Sequence, residues 1–238
     1  MLCVLFECFK RKRNYCEFYQ QFLKYLIGWF NRDLDEAIPQ ENLLEIYGVS
    51  QSAPDGYEFV GSKYQRMLNY HAAHDIGHAL QDKNMVVGCT AFGAWGDKTA
   101  DSSMIIGRNF DFYVGDSFAR DKIIMFMKPT DGIPFMMVTW GGMTGVVSGM
   151  NLEGVTVTLN AAKSEYPTGA ATPISIVARE ILQYSHNIDE AFAIAKTRQT
   201  FVSESIFIGS ANDGEAAIIE KTPTKTELFR TTGNDIIC

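Results

Sequence analysis

The sequence predicts a layered α+β protein with antiparallel sheets. Three observations carry that reading. Period-2 or continuously apolar runs at 89–95, 103–110, 122–128, 134–140, 145–149 and 154–160 follow one another across Gly- and Asp-rich turns. Two helical stretches then come back to back. Further strand-like runs return at 204–211, 215–221 and 226–230. Grouped strands, grouped helices and grouped strands again differ from the strict alternation of a doubly wound parallel sheet.

Taken in order, residues 14–31 read as an aromatic-rich helix ending near Asn31. Pro39 followed by Glu41 to Tyr47 starts a short helix, and Ser52-Ala53-Pro54-Asp55-Gly56 is a turn. Ser62 opens a long helical stretch to about Asp82, on which Tyr64, Met67, Leu68, His71, Asp75 and His78 fall at helical spacing. The strands begin at Cys89. Thr172 to Ser185 is a helix with Thr172 as N-cap and Pro173 in the first turn, and Asn187 caps a second helix to Arg198. These elements divide the chain into an N-terminal extension (1–35), a helical segment (36–88) and a strand-rich core (89–238).

The 238 residues suffice for one large domain with its own core. Apolar residues make up 46% and charged residues 21%, an ordinary globular balance. A net charge of -7 without a basic stripe argues against a nucleic-acid partner. The one basic cluster, Lys10-Arg11-Lys12-Arg13, reads as a solvated tail. Five scattered cysteines (Cys3, Cys8, Cys16, Cys89, Cys238) contain no CxxC pair, which suits free thiols in a reducing compartment such as the cytoplasm. No run reaches the ~18 apolar residues of a membrane span, and the first thirty residues lack the order of a signal peptide.

Chemistry concentrates around Cys89, which stands directly behind Gly88 at the head of an apolar run. The next run carries Arg108 and Asp111. A thiol with a cation and a carboxylate on the neighbouring strand is a nucleophile with electrostatic partners. The Gly88-Cys89 bond is also a candidate self-cleavage point, which would leave Cys89 as a new N-terminus. Most buried cysteines are small hydrophobes, so the thiol alone is a weak signal.

Three motifs in order strengthen it: Cys89-Thr90 at the head of a strand; Gly107-Arg108-Asn109-Phe110-Asp111-Phe112; and Met150-Asn151-Leu152-Glu153-Gly154-Val155, followed by Leu159-Asn160. Together they resemble the cysteine N-terminal-nucleophile hydrolases, in particular the acyl-CoA:6-aminopenicillanic-acid acyltransferase family (peptidase family C45). More distant relatives are the choloylglycine and penicillin V hydrolases. The resemblance covers about 89–238, with the helix from Ser62 matching the segment before the nucleophile. It implies a four-layer αββα sandwich and cleavage of a linear amide C–N bond, or acyl transfer, through a Cys89 thioester. No cofactor or metal is required. The partners implied are a small N-acyl substrate and, for a transferase, an acceptor amine.

The resemblance also assigns roles. Cleavage between Gly88 and Cys89 frees an α-amine that relays the thiol proton. Gly88, lacking a Cβ, tolerates a strained backbone at the cut. Arg108 steadies the thiolate, Asp111 orients the new amine, and Asn160 donates to the oxyanion. Residues before Cys89 would remain as an associated α chain, with self-association left open. A second catalytic Asn of the family would fall just after Cys238, so the chain is expected to be incomplete at that end and weakly active or inactive as it stands. Met125, Phe126, Met127, Phe135, Met136 and Met137 read first as core and second as an adaptable acyl pocket.

A rival class rests on His71, His74, Asp75 and His78. On a helix these share a face, and three imidazoles with a carboxylate are a zinc-ligand set. The alternatives are therefore a metal-binding domain without hydrolase activity, or a catalytically impaired fragment.

Overall fold

The computed structural model describes residues 24, 25, 27–29, 31–75, 87–112, 119–162, 171–231, 233 and 235–237. Most of the expected 14–31 helix, the second half of the 62–82 helix with His78, and Cys3, Cys8, Cys16 and Cys238 lie outside these residues. Among the described residues, no helix is long and apolar enough to cross a membrane.

Helices α1 (Leu34–Ala37), α2 (Gln40–Ser50) and α3 (Lys63–His71) precede the strands, and α4 (Ile174–Tyr184) and α5 (Ile188–Thr197) interrupt them. Their starts follow from local chemistry. Ser62 Oγ accepts from the Gln65 amide at 3.3 Å while Gln65 Oε1 accepts from the Ser62 amide at 3.0 Å, a reciprocal capping box. Asn187 Oδ1 accepts from the Glu190 amide at 2.8 Å and starts α5. The start of α4 differs from expectation. Thr172 is not its cap; its hydroxyl donates to the Ala37 carbonyl at 2.7 Å. Asp75, 99 positions earlier in the chain, accepts from the Ile174 amide at 2.9 Å instead. A carboxylate at this end also suits the helix dipole.

The strands are β1 (Val87–Gly96), β2 (Ser102–Phe112), β3 (Lys122–Met127), β4 (Phe135–Trp140), β5 (Ser148–Asn151), β6 (Val155–Ala161), β7 (Glu204–Ser210), β8 (Glu215–Lys221), β9 (Thr226–Arg230) and β10 (Asp235–Ile237). They form a three-stranded sheet, β10-β1-β2, and a seven-stranded sheet in chain order from β3 to β9. Every pairing is antiparallel. The run expected at 145–149 forms a strand only from Ser148.

Alternation sorts the side chains into layers. Val155, Val157, Leu159, Ile206 and Ile208 pack with Ile174, Val177, Ile181 and Leu182 of α4, all at most 1% exposed. On the other face of the large sheet, Phe207 and Ala216 meet Ala91 and Trp95 of β1. The described layers are thus helices, a seven-stranded sheet and a three-stranded sheet. The apolar run 125–137 splits by the same rule. Phe135 and Met137 are core, whereas Phe126 is 79% exposed, against the expectation that the run fills the interior.

The helices before Cys89 are built into this core. Arg179 of α4 is fully buried and makes a two-pronged pair with Glu45 of α2 at 2.7 and 2.8 Å. Gln183 donates to the Glu41 carboxylate at 2.5 Å. Removing Glu45 would leave the buried Arg179 guanidinium without its carboxylate and destabilise the fold.

Candidate active site

Cys89 leads the site because of where β1 puts it. Ala91 and Trp95 are buried and Phe92 is exposed, so the odd-numbered side chains of β1, Cys89 included, face the large sheet. On β2, Phe110 stands opposite Cys89 and Arg108 opposite Ala91. Arg108 is therefore a diagonal neighbour of the thiol on the same face.

The guanidinium ties the two sheets together at this point. Its Nη2 lies 3.8 Å from Cys89 Sγ and also donates to the Leu159 carbonyl of β6. Its Nη1 donates to Ser148 Oγ of β5 at 2.7 Å, and its Cζ sits 4.6 Å from the Phe110 ring centroid. Burial pulls Arg108 below the usual guanidinium value, against the opposing pull of Cys89, Glu204 and Asp111.

Asn160 follows Leu159 on β6 and is 3% exposed. Its Nδ2 faces the Thr158 carbonyl, Thr158 Oγ1 and the Ser205 carbonyl, each at 3.4 Å. These are long, weak bonds. Among the described residues, Asn160 Oδ1, Arg108 Nε and Ser203 Oγ are buried without a hydrogen-bond partner. Buried polar atoms are normally paired, and such exceptions gather where chemistry is done.

Asp111 pairs in register with Gly88, beside the bond expected to be cut. It is exposed and on the opposite face of β2 from Arg108. Gly88 departs from expectation. It lies within the regular β1–β2 ladder, it is not among the residues with positive φ, and a Cβ there would meet nothing within 4 Å. Among the described residues, neither space nor positive φ demands glycine at this position.

His71 and His74 are described, and His78 of the same set lies outside the described residues. His71 is fully buried. Its Nε2 accepts from the Thr144 amide at 2.9 Å, so its Nδ1 carries the proton and donates to the Met67 carbonyl at 2.8 Å. Neither nitrogen is left for a metal, and burial pushes its pKa down to about 4. His74 Nδ1 lies 3.2 Å from Asp75 Oδ1 and 3.8 Å from Glu204 Oε1. Among the described residues, no group of three metal-ligating side chains comes together.

Sequence reasoning missed Ser148 and Glu204. Glu204 had a signal: an acid that heads the apolar run Ile206-Phe207-Ile208. Ser148 had none.

Comparison with known proteins places the chain. Residues 98–238 match the family described as acyl-coenzyme A:6-aminopenicillanic acid acyl-transferase. The chain belongs to that family. The matched stretch begins after Cys89 and takes in Arg108, Asp111 and Asn160. Among curated proteins, this acyl-transferase family member is 24% identical over 207 residues to an uncharacterized protein of Archaeoglobus fulgidus, covering 80% of this chain and 34% of that protein. It is 21% identical over 198 residues to protein dcd1B of Dictyostelium discoideum, covering 82% and 37%. The chain thus spans about a third of the length of the curated relatives it matches. Among solved structures, the N-acylethanolamine-hydrolyzing acid amidase ortholog of Caenorhabditis elegans superposes with a TM-score of 0.51 at 19% identity, over 63% of this chain and 68% of that one. The fold is the N-terminal-nucleophile hydrolase sandwich, an α+β architecture with antiparallel sheets.

Proposed function

We propose that the protein breaks or transfers the amide bond of a linear N-acyl compound, with Cys89 as nucleophile. The observation that carries this reading is the Arg108 guanidinium 3.8 Å from Cys89 Sγ, held by the Leu159 carbonyl next to Asn160. A fixed cation favours the thiolate, the form that attacks.

Activation begins at the Gly88-Cys89 bond. The Cys89 sulfur adds to the Gly88 carbonyl carbon, and the C–N bond breaks as the nitrogen takes up the thiol proton and leaves as the Cys89 α-amine. Water hydrolyses the thioester, giving a Gly88 carboxylate and a free thiol. Asp111, opposite Gly88, orients the new amine. In turnover the thiolate attacks the substrate acyl carbon. Asn160 donates to the oxyanion, and the protonated α-amine of Cys89 gives its proton to the leaving amine. Water then releases the acid; an acceptor amine at the same step makes the reaction a transfer. Splitting amide cleavage into two steps through a thioester is the advantage of covalent catalysis.

Hydrolysis by the full-length protein is measured on a panel of fatty-acyl amides, acyl-amino acids, bile conjugates and penicillins. At least one class is expected to turn over with wild type and none with Cys89→Ala. Activity that survives Cys89→Ala overturns the reading.

A further inference from the structure

We propose that His74, contributed by the segment before Cys89, is a positioning residue of the site: its imidazolium, held by Asp75, pairs with Glu204 and backs the Phe110 ring, and so fixes the Arg108 guanidinium against Cys89. The inference rests on Cys89 as the nucleophile.

The contacts form a continuous chain. Asp75 is fully buried, with Oδ2 accepting from the Ile174 amide at 2.9 Å and Oδ1 lying 3.2 Å from His74 Nδ1. The start of α4 therefore anchors His74. The His74 ring stacks on Phe110 at 6.2 Å with 19° between planes. Phe110 also meets the Arg108 guanidinium, 4.6 Å from its centroid. Phe110 also packs on Trp140 at 5.5 Å. Glu204, 1% exposed, opens β7 and faces His74 at 3.8 Å.

Among the described residues, the charges that act on the imidazole are Asp75 on its own segment, Glu204 from β7 and Arg108 from β2. Burial opposes a charged ring. The hydrogen bond to Asp75 and the charges of Glu204 and Asp75 outweigh burial and the repulsion from Arg108, and lift His74 above its ordinary value. Burial also pushes the Asp75 carboxyl up, against its bond to His74. The pair shares one proton, and it belongs on His74, because Asp75 already accepts at a helix N-terminus where negative charge is favoured. The row Asp75, His74, Glu204, Arg108 and Cys89 then alternates in sign. Without the imidazolium, less of the Glu204 charge is balanced from the His74 side, and its pull on Arg108 away from the thiol grows.

None of this uses His74 to touch substrate. It makes residues before Cys89 a working part of the site, so the N-terminal segment has to stay in place after the chain is cut.

The test is the pH profile of Cys89 alkylation by iodoacetamide, read by mass on the peptide that carries Cys89. It needs no substrate, so it stands apart from the amidase assay. His74→Gln keeps a polar side chain and removes the charge. The profile should move to higher pH by about half to one unit, with alkylation at pH 7 slower by about three- to tenfold, while the thermal midpoint stays near wild type. A folded His74→Gln protein with an unchanged profile overturns the proposal. Should His74→Gln fail to fold, Glu204→Gln decides. Loss of the opposing negative charge should move the profile to lower pH, and no movement, or movement upward, overturns the proposal. An activity loss in His74→Gln without a profile shift also counts against it.

Discussion

In the proposed reaction each contribution rests on one side chain. Asn160 carries the oxyanion assignment, and its amide is bound to protein acceptors only at 3.4 Å. Asn160→Ala should lower kcat by about 10²- to 10³-fold with KM little changed, since an oxyanion donor acts in the transition state; steady-state kinetics of the full-length protein check this. His71 belongs to stability rather than catalysis. Its pKa falls from about 6.5 when exposed to about 4 in the fold. Its contribution is therefore complete above pH 6.5 and is lost as pH drops toward 4, where the unfolded chain takes up a proton that the folded chain refuses. The loss amounts to about 3 kcal/mol by pH 4. Denaturant titrations between pH 7 and 4 should show this slope in wild type and a flatter one in His71→Gln. The candidates Cys89, Arg108 and Asn160 could be picked out at this scale because they stand in short motifs, and the fold brings Arg108 to Cys89 and to the Leu159 carbonyl beside Asn160. Asp111, picked out in the same way, is exposed on the opposite face of β2. Ser148 could not be picked out. A serine in a strand carries no local mark, and only the meeting of β5 with β2 gives it Arg108 as a partner.

At the scale of elements, the strands were readable because burial on one or both faces writes alternation or continuous apolarity into the chain. The start of α4 was misread for an equally physical reason. Thr172-Pro173 satisfies the local capping rule, but the fold supplies a stronger acceptor, Asp75, from a distant segment. No local rule reports a cap of that kind. Gly88, expected to tolerate strain at the cut, lies in an ordinary ladder in the intact chain. Gly149 is where close approach does demand glycine. A Cβ there would come 2.6 Å from the Met136 carbonyl oxygen and 2.5 Å from Leu182 Cδ1. Backbone cannot move aside cheaply, so Gly149→Ala should destabilise the protein by about 1–3 kcal/mol, read as a lower denaturation midpoint with an unchanged slope.

At the scale of the molecule, the segment before Cys89 and the strands after it form one core. Leu34, Ile38, Ile46 and Leu68 share a cluster with β4, β6, β7, β8 and α4, and Glu45 neutralises the buried Arg179. The sequence drew a boundary at Cys89 on chemical grounds, and nothing in the packing repeats it. Under the proposed function that boundary is a bond to be cut, and the shared core would hold the two pieces together. The deciding measurement is the mass of the purified full-length protein under denaturing conditions, paired with native size-exclusion. Wild type should give two polypeptides, the second beginning at Cys89, that co-elute natively, and Cys89→Ala should give one intact chain. A folded wild-type protein that remains a single uncut chain would contradict the assignment of Cys89 as an N-terminal nucleophile.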